Sequence, residues 1–256
     1  MAEEQEAAQK KEPVIRVREL CKAFGENEVL KNFSLDLFKG ENLVVLGKSG
    51  SGKSVLIKCI IGLIRPDAGS IEVFGKDVLK MSDEERDQLR TKVGFLFQTN
   101  ALYDSMTVQE NLEFPLRRHG QEKTKEEMEE LVTEALQSVG LEKTREQVPA
   151  ELSGGQKKRI AIARMLILKP EIILYDEPTT GLDSVTGREI SELMVEVQEK
   201  YRTSSIIISH DLNCVRITSD RIAVLIDGAC HATGTFEELS RSDDKNINQF
   251  FDSTEP

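Results

Sequence analysis

Between the apolar run Leu43-Val44-Val45-Leu46 and a helical stretch from Val55, the chain carries Gly47-Lys48-Ser49-Gly50-Ser51-Gly52-Lys53-Ser54. This is the pattern G-x-x-x-x-G-K-[ST], set between a strand and a helix as a phosphate loop must be. The glycines let the main chain wrap an anion, so that amide N–H groups and a helix N-terminus meet the negative charge. Lys53 is placed to reach the β- and γ-phosphates of a nucleotide, and Ser54 to ligate Mg²⁺. A flexible Gly/Ser loop is the bland alternative, and the flanking strand and helix argue against it.

The rest of the pattern fits a layered α/β fold rather than a bundle or a sandwich. Leu43 to Leu46, Val93 to Phe97, Ile172 to Tyr175 and Ile206 to Ile208 are nearly continuous in apolar residues. Such runs suit central parallel strands covered on both faces. Val14 to Val17, Ser34 to Phe38 and Ser70 to Phe74 alternate apolar with polar residues, as a more antiparallel edge subdomain would. From about 101 to 150 the β signal disappears, and a helical subdomain inserted into the α/β core is predicted there. Thr124 to Glu127 reads as a capping box, followed by Met128, Leu131, Val132, Ala135, Leu136 and Val139 at helical spacing up to Gly140. Ser82 followed by Glu85 marks a second helix start.

Apolar residues make up 39% and charged residues 31% of the 256, enough to fill a core. No run approaches the roughly 20 apolar residues of a membrane-spanning helix. Met1 to Glu12 lacks the apolar stretch of a secretory signal, so residues 1–13 are expected to fray and the location to be cytoplasmic. A net charge of −11, from 34 basic and 45 acidic side chains, argues against broad capture of nucleic acid. Cys21, Cys59, Cys214 and Cys230 form no C-x-x-C pair and read as reduced core thiols.

Three more elements fall at the ends of the apolar strands, where open parallel sheets bind ligands. Asp176 and Glu177 close the run from Ile172; Asp176 suits Mg²⁺, and Glu177 suits polarising an attacking water. Gln98 follows Phe97, and His210 follows Ser209. By itself Gln98 would be surface filler and His210 a satisfied structural residue, and the shared edge favours function. His119 and His231 have no such support.

Leu152-Ser153-Gly154-Gly155-Gln156 precedes a helical stretch predicted from about Lys157 to Leu168. Five fixed residues match by chance in on the order of a few chains per ten thousand. Physically it is a second anion site, with Ser153 and glycine amides at a helix N-terminus. With this signature the chain resembles an ABC-type ATPase, from about Val14 to Leu239. The resemblance implies a P-loop ABC ATPase core with a mixed sheet, an antiparallel β subdomain and an inserted helical subdomain. It implies ATP and Mg²⁺ as ligands and a head-to-tail pair of copies, each signature (Ser153, Gly154, Gly155, Gln156) closing over the ATP on the other's phosphate loop. On the same basis Phe24 takes the place of an adenine-stacking aromatic, with core packing as its alternative. Gln98 matches a loop that senses Mg²⁺, so the implied metal set is Ser54, Gln98 and Asp176. Glu177 matches the general base, Gly181-Leu182-Asp183 the D-loop, and His210 the residue that contacts the γ-phosphate.

Phe97 to Val108 and Phe114-Pro115-Leu116-Arg117 resemble the ATPases of MCE-associated lipid transporters, the Mla class, as does the tail Ile247-Asn248-Gln249-Phe250-Phe251. That implies a peripheral subunit on the cytoplasmic face of the inner membrane, with permease partners, an MCE substrate-binding protein and phospholipid as an indirect substrate. The ATPase unit is expected over 14–241, and 242–256 form a tail that either folds back on its own chain or docks on the partner. Two alternatives stand beside transport of lipid: an ATPase of another importer or exporter, and a scaffold-type ABC protein that drives assembly.

Overall fold

A computed structural model describes residues 12–119 and 123–251. The strands are β1 (Pro13–Phe24), β2 (Asn27–Phe38), β3 (Asn42–Leu46), β4 (Ala68–Val73), β5 (Lys76–Asp77), β6 (Val93–Leu96), β7 (Ile172–Asp176), β8 (Ser204–Ser209), β9 (Arg221–Ile226) and β10 (Ala229–Gly234). The helices are α1 (Lys53–Ile60), α2 (Asp83–Lys92), α3 (Val108–Arg118), α4 (Lys125–Gln137), α5 (Gly154–Leu166), α6 (Ser184–Tyr201), α7 (Leu212–Thr218), α8 (Phe236–Ser240) and α9 (Lys245–Phe251).

Two sheets result. β2-β1-β4-β5 is antiparallel, and β10-β9-β3-β8-β7-β6 is mixed, with only β10 running against its neighbour. The continuous apolar character of the central strands follows from the period of two. Val44, Leu46, Ile173, Tyr175 and Ile207 point into a core shared with α3, α4, α5 and α6. Their neighbours Leu43, Val45, Ile172, Leu174, Ile206 and Ile208 point into the other core, with α1 and the antiparallel sheet. Because β3, β6, β7 and β8 are parallel, the four segments after them leave from one edge.

Helix starts match their local chemistry. Ser82, Thr107 and Thr124 each cap a helix through a reciprocal pair with Glu85, Glu110 and Glu127. Two starts differ from the sequence reading. α1 begins at Lys53 rather than Val55, and α5 runs from Gly154 to Leu166 rather than from Lys157 to Leu168. In α5 the reason is a capping box: Ser153 Oγ accepts from the Gln156 amide, and Gln156 Oε1 accepts from the Ser153 amide. The signature glycines are thereby drawn into the first turn.

Strand β1 begins at Pro13; the rest of the predicted frayed start, residues 1–11, lies outside the described residues. Of the cysteines, all four are free, and only Cys59 and Cys214 are buried, their thiols pushed up to about 11 by desolvation. Cys21 and Cys230 are half-buried on strands, which corrects their reading as core thiols. Among the described residues no helix is long and apolar enough to cross a membrane.

The tail up to Phe251 folds back on its own chain. Ile247 is 4% exposed in the core shared with the helices, and the Phe251 ring meets Phe236 edge-on at 5.4 Å. His231 Nε2 also contacts Asp244 at 2.7 Å, just ahead of α9. Ile247→Ala is expected to lower the stability of the isolated chain by about 1–3 kcal/mol, below the full core range because α9 can detach. An unchanged denaturation midpoint would contradict packing in cis.

Candidate active site

The phosphate loop is shaped by backbone that only glycine adopts easily. Gly50 and Gly52 have φ of 77° and 101°, and a Cβ on Gly52 would stand 2.7 Å from Val29 Cγ1 and 2.8 Å from the Val29 carbonyl. Inside the turn the buried Lys53 Nζ donates to the carbonyl oxygens of Gly47 at 2.7 Å and Lys48 at 2.8 Å. It also lies 3.3 Å from Glu177 Oε1. Lys48, Ser49, Gly50 and Ser51 line a cavity of about 630 Å³, which Asn246, Gln249 and Phe250 of α9 also line.

Strand β7 delivers the carboxylates. Ser54 Oγ donates to Asp176 Oδ1 at 2.6 Å. Burial pushes the Asp176 carboxyl upward, and the Ser54 hydrogen bond, Lys58 and Lys53 pull against it. Glu177 is 8% exposed and sits at φ 51°, a left-handed conformation unusual for a glutamate. Its amide donates to the Ile208 carbonyl at 3.0 Å, which fixes it against β8. Its Oε2 accepts from Thr180 Oγ1 at 3.2 Å and meets His210 Nδ1 at 2.7 Å. With Glu177 ionised, Nδ1 must carry the hydrogen. Lys53, Glu177 and His210 therefore form one connected set.

The other predicted residues lie around this set. Gln98 is exposed after β6, and its carbonyl accepts from Lys158 Nζ at 3.1 Å. Phe24, 51% exposed, is not a core residue; Lys22 Nζ stands 5.3 Å from its ring centre, and the ring does not line the cavity at the phosphate loop. Ser153, Gly154, Gly155 and Gln156 do not line that cavity either. The two glycines pack against the D-loop and the first turn of α6 in the same chain, where a Cβ on Gly154 would stand 3.5 Å from Leu182 Cδ2 and one on Gly155 2.5 Å from Thr186 Cγ2. Asp183 caps α6 through the amides of Val185 and Thr186. Behind Gln98 an apolar groove of about 370 Å³ opens between Phe95, Phe97, Ala101, Tyr103, Phe114 and Pro115. Sequence reasoning missed Lys158 and the contribution of α9 to the cavity; a lysine at the start of an amphipathic helix carries no local sign of burial.

These residues fit a magnesium nucleotide. Ser51 Oγ is buried without a partner, inside a glycine cradle that a Cβ would fill. Ser54 and Asp176 present a hydroxyl and a carboxylate side by side, the hard oxygen donors that Mg²⁺ takes. Gly52→Ala is expected to destabilise the nucleotide-free chain by about 1–3 kcal/mol through backbone strain. Ser51→Ala, which removes an unsatisfied hydroxyl, is expected to leave stability unchanged or slightly raised. Thermal denaturation measures both, and a Gly52→Ala chain as stable as the parent would contradict the strain.

The ABC transporter family matches residues 30–180. Over 236 residues the chain is 40% identical to the probable ribonucleotide transport ATP-binding protein mkl of Mycobacterium leprae, covering 92% of this chain and 68% of that one. It is 38% identical over 226 residues to the methionine import ATP-binding protein MetN of Rhizobium johnstonii, covering 88% and 62%. The chain thus spans about two thirds of the length of these curated relatives. Among solved structures it is similar to the dimeric ATP-binding cassette MJ0796 in a post-hydrolysis state bound to ADP and Pi, at 34% identity and TM-score 0.79, covering 86% and 98%. It is also similar to cbiO1 from Clostridium perfringens, part of the ABC transporter complex cbiONQ, at 29% identity and TM-score 0.82, covering 93% and 95%. Phosphate loop, paired carboxylates and signature occur together on this one sheet edge and its flanking helix, and the chain belongs to the ABC transporter ATP-binding family as an ABC ATPase.

Proposed function

We propose that two copies of the chain close head to tail over ATP and hydrolyse it to drive phospholipid movement between the inner and outer membranes through an MCE-type complex. The observation that carries the catalytic part is Glu177, buried between Lys53 and His210. On this reading phosphate oxygens replace the loop carbonyls around Lys53, and Glu177 is released from Lys53 to orient and deprotonate water. His210 hands its contact to the γ-phosphate. Ser54, Asp176 and Gln98 hold Mg²⁺, which neutralises charge on the phosphates. Phe24 stacks on adenine. The partner's signature, Ser153 to Gln156, completes the site with helix N-terminal amides.

Residues 14–241 form the working unit, with the segment from about 101 to 150 as its helical insert. Work must leave the chain through a surface, and the groove behind Gln98 is suited to a permease segment. The dimeric state of the MJ0796 cassette supports pairing. Lipid as cargo rests on the likeness of Phe97 to Val108 and Phe114 to Arg117 to the Mla class. The names of mkl and MetN, ribonucleotide transport and methionine import, keep another cargo as the second reading. The subunit then sits at the cytoplasmic face of the inner membrane beside its permease. Docking of the tail 242–256 onto the partner would require Ile247 and Phe251 to leave their packing on their own chain.

Glu177→Gln is expected to bind ATP, persist as a closed dimer and hydrolyse roughly 10²- to 10⁴-fold more slowly. Turnover near that of the parent would refute the base role. Lys53→Ala is expected to lose productive nucleotide binding in the same assay. Purification of the complex from membranes decides the cargo: co-purified permease, MCE protein and phospholipid support the lipid reading, and a complex with a soluble amino-acid-binding protein contradicts it.

A further inference from the structure

Lys158 is 2% exposed, and none of the roles above uses it. Its Nζ donates to the carbonyl of Gln98 at 3.1 Å. Further along α5, Arg164 Nη2 donates to the carbonyl of Asn100 at 3.3 Å, with its guanidinium 5.8 Å from the centre of the Tyr103 ring. The backbone at and just after the second anchor is left-handed, with Asn100 and Ala101 at φ of 63° and 51°. A left-handed alanine costs about 1–2 kcal/mol and persists only where its surroundings over-determine it. Burial lowers the Lys158 ammonium to about 8, with Asp176 pulling the other way. Placing a cation there is costly, and an apolar side chain of similar length would fill the space more cheaply. What the cation supplies is a fixed position for one carbonyl.

We propose that Lys158 and Arg164 are positioning residues that tie the segment Gln98 to Ala101 to the signature helix. Ser153 to Gln156 open this helix, and Arg164 near its far end borders the groove behind Gln98. A displacement of the signature against a partner's nucleotide therefore moves Gln98 and the groove wall with it. The proposal rests on the reading in which Gln98 senses Mg²⁺, and the test separates the two.

The measurement is the Mg²⁺ concentration for half-maximal binding of a fluorescent ATP analogue to the full chain. It is made for the parent, Gln98→Ala, Lys158→Met and the double variant, with melting temperatures alongside. Each single variant is expected to raise the Mg²⁺ requirement about tenfold, as loss of a group that orients a metal ligand does. The double variant should be no worse than Gln98→Ala, because both act through one side chain. Lys158→Gln, which keeps an N–H donor, should recover most of the shift. A Lys158→Met chain that melts earlier but keeps the parent's Mg²⁺ requirement, while Gln98→Ala shifts it, overturns the positioning role. An unmoved Gln98→Ala chain removes the Mg²⁺ reading of Gln98, and the proposal with it. If Lys158→Met does not fold, Arg164→Met takes its place at the less buried anchor. A rise in the Mg²⁺ requirement is then expected, and none overturns the proposal.

Discussion

The buried ammonium of Lys53 is the interaction around which the site is arranged. A cation with so little solvent must find acceptors, and it finds two carbonyls of its own loop and the carboxylate of Glu177. The same loop takes left-handed backbone at Gly50 and Gly52, which glycine adopts without strain. Glu177 in turn reaches Lys53 and His210 because β8 lies between β3 and β7, with all three strands parallel. A different strand order with the same motifs would leave the three groups apart. On the proposed reading nucleotide phosphates would compete with the carbonyls for the same cation, and binding would loosen the hold on Glu177.

Features encoded within a few residues were legible in the sequence. The phosphate loop, the Asp176-Glu177 pair and the capping boxes at Ser82 and Thr124 all stand where their local chemistry placed them. The beginning of α5 was misread because two glycines look like loop, whereas the reciprocal pairing of Ser153 with Gln156 draws them into a helical turn. The hairpin of β9 and β10 was missed, although Ile222 to Leu225 followed by Asp227-Gly228 carries the signal. Both turn residues take positive φ, at 49° and 85°, as a tight hairpin of this kind requires. Lys158 and the α9 border of the cavity could not be read at all. Each depends on packing between segments sixty or more residues apart, which no local pattern records.

The signature gives the fold its directional character. It sits on the same chain as the phosphate loop but does not line the cavity there, while α5 behind it reaches the backbone of the Gln98 segment. One helix thus connects the proposed anion site at its exposed start to the segment that follows β6.

The claim that the working site is shared between two copies is tested most directly by mixing two variants that fail separately. Lys53→Ala damages the phosphate loop and leaves the signature intact, and Ser153→Arg does the reverse. A mixed dimer then contains one site built from an intact loop of one copy and an intact signature of the other. Phosphate release from the mixture well above that of either variant alone is the predicted result. A mixture as inactive as its components, under conditions in which the mixed dimer is shown to form, would contradict it.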